Sequence, residues 1–191
     1  MRTPPEELIP GALEKYTHDL TALARQGQFA PLQWREKEVE RIFEVLARPL
    51  KNNPMLIGED STERFAIVAE VVRHISTGDA PEGFPIQQVM ALDVELLTAG
   101  TPYRYKWEKR LKSVFAELKQ SVGQTILVVD NFPRLMGAGP EKTCMWMHTI
   151  LSPAFARREI QLIGTSTLDD YHKHVERDHG LQRRFQEVLV N

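Results

Sequence analysis

The pattern that most constrains this chain is a short apolar run that turns at a glycine into a helix. Residues 53–68 show it first, NPMLIGEDSTERFAIV, where Met55, Leu56 and Ile57 meet Gly58, a polar stretch and then an apolar repeat of helical period. A strand this apolar must be covered on both faces, and a helix that follows it at once supplies one cover. The alternation recurs along the chain. QVMALD (88–93) precedes a helix near 105–121, TILVVD (125–130) one near 143–156, and IQLIGT (160–165) the segment LDDYHKHVERDH, before EVLV (187–190) closes. Five β-branched-rich runs separated by helices predict an α/β fold, a five-stranded mostly parallel sheet with helices on both faces.

Ahead of the first strand, residues 12–26 place Leu13, Tyr16, Leu20, Leu23 and Ala24 on one helical face, and Gly27 is the expected stop. A second helix, REKEVERIFEVLA, turns Val39, Ile42, Phe43 and Leu46 inward. Residues 1–11 are Pro-rich and acidic and read as a flexible lead-in to one domain, 12–191.

Composition excludes several classes. With a net charge of −2 and a pI near 6.3, the chain has no general electrostatic pull toward nucleic acid or an anionic membrane. No apolar run approaches the roughly 20 residues that span a bilayer, and MRTPPEELIPG lacks the apolar core of a signal peptide. Cys144 stands alone, which rules out an intrachain disulfide or a cysteine metal cluster. A cytoplasmic protein is the expectation.

In order, the chain contains LEKY, DLTALARQG, KNNPMLIGE, ALDVELLTAGTPYR, WEKRLKSVFAEL, ILVVD, LIGTSTLDDY and LQRRFQEVLV. These segments resemble the first nucleotide-binding module of the ClpB/ClpC class of AAA+ chaperones, over about residues 12–190. The resemblance implies a P-loop NTPase fold that binds ATP and Mg²⁺, assembles with itself or related Clp subunits into hexameric rings, and threads polypeptide through a pore. The helical lid that follows the fifth strand in the family has no counterpart before Asn191, so the chain is expected to be a piece of something longer.

The same alignment puts the nucleotide site in doubt. A phosphate-binding loop, G-x-x-x-x-G-K-[ST], wraps phosphates in backbone N–H groups and adds a lysine and a Mg-binding hydroxyl. Here the first glycine is Gly58, the second is replaced by Glu63, the lysine by Arg64 and the hydroxyl by Phe65. A guanidinium does not replace a compact ammonium freely, and a phenyl ring cannot ligate Mg²⁺. Asp60 followed by Glu63 ahead of an apolar run is also a capping signal, so one of these acids is expected where phosphate would sit. Asp130, ending ILVVD, matches the Mg-holding acid or is simply a polar strand end. Asn131 stands where the family has the glutamate that polarises water, and an amide is no general base.

Other positions carry paired readings. Leu32, Gln33, Trp34 and Arg35 align with the adenine-pocket lining, with Trp34 either filling the pocket or turned away from it. Thr167 matches the γ-phosphate sensor or caps the next helix. Arg183 and Arg184 match arginines that reach the neighbouring subunit's ATP, or are two solvated residues before a strand. Tyr103 matches the pore-loop aromatic that grips polypeptide, or packs within its loop. After Gly137, Ala138 and Gly139, the stretch PEKTCMWMHTILSP is core or an apolar contact for another subunit. His172, Glu176 and His179 fall at one helical face and could hold a metal, although the segment has the look of a solvated face.

The expected function is a degenerate Clp-like module, inactive as an ATPase, serving as a structural or regulatory ring subunit in protein remodelling. A working chaperone ATPase and a free-standing protein-interaction domain are the alternatives.

Overall fold

The computed structural model describes residues 8–100, 104–121, 123–137, 153–155, 157 and 160–191. Six strands make one sheet: β1 (Thr17–Asp19), β2 (Asn53–Ile57), β3 (Gln88–Leu92), β4 (Thr125–Val129), β5 (Leu162–Ser166) and β6 (Phe185–Leu189). Their order is β1-β3-β4-β5-β2-β6, every pair parallel except β1 with β3. The five expected strands are present, and the expectation is corrected by a sixth, the antiparallel edge strand β1.

That strand interrupts what the periodicity reads as one helix over 12–26. The segment is instead α1 (Ala12–Tyr16), β1, and α2 (Leu20–Arg25). Thr17 ends α1 in an extended conformation, and its hydroxyl donates back to the Leu13 carbonyl at 2.5 Å. Tyr16 and Leu20 are still buried, as the apolar stripe requires. Between them, Thr17 to Asp19 pair with Leu92 to Met90. Asp19 then caps α2 by accepting the Ala22 N–H at 2.9 Å. The lead-in is anchored from its described end onward, since the Ile9 N–H donates to Ser113 Oγ at 2.9 Å.

The central strands point alternate side chains to two cores, as a pleated strand must. Met55, Ile57, Met90, Leu127, Val129 and Leu162 face α1, α6 (Arg104–Gln120) and α7 (Phe132–Gly137). Leu56, Val89, Ile126, Val128, Ile163 and Val188 face α2, α3 (Glu36–Leu46) and α4 (Ser61–Thr77). Each fully buried aliphatic side chain is worth roughly 1.5–3 kcal/mol, so the two layers fix the strand register. Helix α4 starts three residues earlier than the expected 64 and ends at Gly78, whose φ of 82° closes the helix in the left-handed region. The short α5 (Val94–Thr98) follows β3.

After β5, the expected single helix is broken in three: α8 (Leu168–Tyr171), a π-turn (His172–Glu176) and α9 (His179–Gln182). Asp178 caps α9 through the N–H groups of Gly180 and Leu181. His179 therefore belongs to a different element from His172 and Glu176, which pair with each other at 2.5 Å. No group of three or more potential metal ligands forms among the described residues. No helix among them is long and apolar enough to cross a membrane.

Candidate nucleotide site

Parallel β2, β5 and β4 lie side by side, so the residues after each strand meet at one end of the sheet. In an open α/β sheet that carboxyl end is where ligands bind. Gly58, Asp130 and Thr167, each singled out by sequence, all emerge there.

The turn after β2 is short. Only Gly58, Glu59 and Asp60 separate Ile57 from Ser61, the first residue of α4. Gly58 lies against the end of the chain: a Cβ on it would sit 2.7 Å from the Val190 carbonyl and 3.0 Å from Val190 Cβ. Asp60 Oδ1 accepts the N–H groups of Thr62 (2.8 Å) and Glu63 (3.2 Å). Two of the donors at the N-terminus of α4 are thus already satisfied by a carboxylate.

Arg64 turns back into the protein. Only 4% exposed, it donates from Nη1 to the Gly58 carbonyl, and its Nε has no partner. Glu63 does not close a capping box; its Oε1 accepts from Arg35 Nε at 3.0 Å and from Arg35 Nη2, while Arg35 Nη1 reaches Glu38 at 2.9 Å. The hydrogen bond to Glu63 is the main reason the Arg35 guanidinium is held even more firmly protonated than usual. Phe65 is 43% exposed and meets the edge of Phe29 with ring centroids 6.1 Å apart. Deeper in, Glu70 Oε2 accepts the Leu32 N–H at 3.1 Å and both Glu70 oxygens are held by Arg73. Burial pushes the Glu70 pKa up, but hydrogen bonds from Arg73 and Leu32 outweigh it and leave the carboxyl below its ordinary value.

Three ties thus join the 29–35 loop to α4: Phe29 to Phe65, Leu32 to Glu70 and Arg35 to Glu63. Trp34, between them, is 72% exposed. Of its two readings the structure takes the outward one, because the ring is not folded into a pocket.

On the next strands, Thr165 donates its hydroxyl to Asp130 Oδ1 at 2.5 Å and accepts the Asn131 N–H at 2.8 Å. Asn131 is thereby held at a φ of 48°, and its Oδ1 is buried without a partner. Asp130 is exposed at the strand end. Thr167 caps α8, accepting the Asp170 N–H at 3.2 Å.

Arg183 and Arg184 lie elsewhere. They precede β6, which runs parallel to β2, so they sit at the amino end of the sheet. Five residues of strand at about 3.3 Å each put them roughly 17 Å from the Gly58 end. Tyr103, and all of the 138–152 segment with its Met-Trp-Met stripe, lie outside the described residues. Sequence reasoning missed Phe29, Glu38 and Glu70. Only the Glu70, Arg73, His74 spacing carried a signal, since residues three and four apart share a helical face.

No family model matches the chain. It is 42% identical over 189 residues to the chaperone protein ClpB of Mycobacterium tuberculosis, covering 98% of this chain and 22% of that protein. To the chloroplastic ClpC2 of Oryza sativa it is 46% identical over 178 residues, covering 93% of this chain and 19% of the relative. Among solved structures, the Hsp104–ADP complex of S. cerevisiae matches with a TM-score of 0.82 at 37% identity, over 93% of this chain and 30% of that one. An extended-conformation S. cerevisiae Hsp104:casein complex matches with a TM-score of 0.80. The chain thus spans about a fifth of the length of the curated relatives it matches. By sequence and by fold it belongs to the ClpB/ClpC class, as an AAA+ module.

Proposed function

We propose that this chain is a Clp-type AAA+ module that does not turn over ATP and acts as a structural or regulatory subunit in protein remodelling. The observation that carries the reading is the start of α4. Asp60 takes the N–H groups of Thr62 and Glu63, and Arg64 is spent on the Gly58 carbonyl. A triphosphate entering there would meet Asp60 and Glu63 where the loop of a working site offers donors and a glycine. Two unit charges of like sign at about 4 Å repel by on the order of 4 kcal/mol at an effective dielectric of 20.

The Mg²⁺ side is mixed. Asp130 is exposed and oriented by Thr165, as an ion ligand would need. Phe65 and Asn131 supply neither the hydroxyl ligand nor the base, so ATP and Mg²⁺ do not fit the residues present and no hydrolytic step is assigned. Regulation in this reading works through assembly: Arg183 and Arg184, remote from their own site, would complete a neighbouring subunit's site, and Tyr103, by its match to the family's pore-loop aromatic, would contact polypeptide.

Calorimetric titration with ATP, with and without Mg²⁺, tests this. The expected result is no binding at millimolar ATP for the wild type. A variant carrying Glu63→Gly, Arg64→Lys and Phe65→Thr serves as a positive control and should gain binding. Micromolar binding by the wild type would overturn the proposal, and Mg-dependent turnover lost on Asp130→Ala would establish the enzyme instead.

A further inference from the structure

The far end of α4 borders a cleft that the nucleotide site does not use. The last turns of α3 and α4 and the turn over residues 79–84 enclose about 510 Å³ there, within the roughly 300–1,000 Å³ of small-molecule sites. That turn is tied down by its own backbone: the Asp79 N–H donates to the His74 carbonyl at 2.9 Å, and the Phe84 N–H to the Pro81 carbonyl at 3.0 Å.

Three rings make the apolar wall. Phe84 meets Phe43 edge to face, with centroids 5.2 Å apart and an interplanar angle of 85°, and His74 lies 6.1 Å from Phe43. Phe43 is buried in the core, and His74 Nε2 is held by Glu70 at 3.1 Å, so the rings are in place before any ligand arrives. Three exposed acids, Glu40, Glu44 and Asp79, complete the lining, and none of its nine residues is a lysine or an arginine. Arg41 pairs with Glu44 at 2.8 Å and Arg73 stands 3.9 Å from Asp79, whereas Glu40 meets no cation among the described residues. The negative ends of two helix dipoles add to the acids.

We infer that this cleft binds a small alkylated ammonium ion, its head held against the Phe43, Phe84 and His74 rings and among the three carboxylates. Acids alone would be a solvated face, and rings alone would be core. A cation wrapped in methyl groups suits both at once, apolar enough for the rings and charged enough for the rim. Nine lining residues match one small molecule, not the roughly 20–30 residues a side of a protein interface. The inference is independent of the ATP reading: Asp60 caps the start of α4 and His74 lies in its last turn, roughly 20 Å away at 1.5 Å per residue.

Protein-observed NMR titration of the whole chain with choline tests the site. The uncharged comparison is the alcohol in which a carbon replaces the choline nitrogen. Choline is expected to shift the amides around Phe43, His74 and Phe84, and to bind about tenfold or more tightly than the alcohol. Glu40→Lys puts a like charge on the rim at an exposed position and should weaken choline binding about tenfold or more. Phe84→Leu keeps an apolar surface but removes a ring, so it should weaken choline severalfold and leave the alcohol unchanged. Glu14→Lys makes the same charge change at an exposed position on the other face of the sheet, and should leave choline binding as it is. Thermal melts confirm that the variants fold. Equal affinity for choline and the alcohol, equal weakening by Glu14→Lys and Glu40→Lys, or no shifts in the cleft at about 50 mM choline overturns the inference.

Discussion

Among the described residues, Gly58 and Gly164 lie close against neighbours, and the neighbours decide what a methyl group would cost. At Gly58 an added Cβ meets the backbone carbonyl of Val190 at 2.7 Å, and backbone held in the ladder beside β6 cannot step aside. At Gly164 it meets the Met55 methyl and sulfur at 2.8 Å, the far end of a flexible side chain. Gly58→Ala should therefore destabilise by about 1–3 kcal/mol and Gly164→Ala by less, a ranking that urea titration at fixed m-value would check. Equal losses would mean that Met55, buried in the core, is as immovable as the backbone.

At the scale of elements, α4 is fixed at its start and along its length by ties the chain makes to itself. Asp60→Ala removes the acceptor for two N–H groups and should cost about 0.5–2 kcal/mol, read as a lower Tm. Glu70 ties α4 to the 29–35 loop from within. Glu70→Gln keeps the shape but loses the charge-assisted bonds from Arg73, and a loss of about 1–3 kcal/mol would lower Tm by about 2–4 °C per kcal/mol. Its pH dependence has a definite sign. The folded carboxyl sits below its ordinary value of 4.5, so its stabilisation is complete above that pH and is lost as pH falls through the lower folded value. Wild type and Glu70→Gln should therefore converge in Tm as the solution is acidified below that ordinary value; a constant gap would remove Glu70 as the cause.

These ties also mark where sequence reading stops. Strands β2, β4 and β5 and helices α3, α4 and α6 were legible because their periodicity is local, and Asp60 was legible as a cap for the same reason. The break at Thr17–Asp19 was not, since Leu13 to Ala24 satisfy one helical stripe and only pairing with Leu92 to Met90, far along the chain, draws out a strand. Likewise Arg35 and Glu63 are separated by 28 residues, and nothing short-range joins them.

On the scale of the whole molecule, the candidate site is assembled from pieces that do not touch in sequence. The order β5 between β4 and β2 brings the Gly58 turn and the Asp130–Asn131 corner to one end, with Thr165 on the strand between them. The backbone frame of the family's site is thus present, and in the reading proposed above what departs from a working site is side chains in two separate places. Repair should then be divisible. Asn131→Glu alone should give no turnover, because it leaves the start of α4 unchanged. The combined Glu63→Gly, Arg64→Lys and Phe65→Thr variant should bind ATP without fast hydrolysis, since a positioned base typically contributes 10²–10⁴-fold in rate. Only all four changes together should produce Mg-dependent phosphate release. Coupled phosphate assays on the three variants separate these cases: turnover from Asn131→Glu alone would mean that the wild-type turn already seats the triphosphate, and failure of the fourfold variant to bind would mean that the three-residue turn itself, and not its side chains, closes the site.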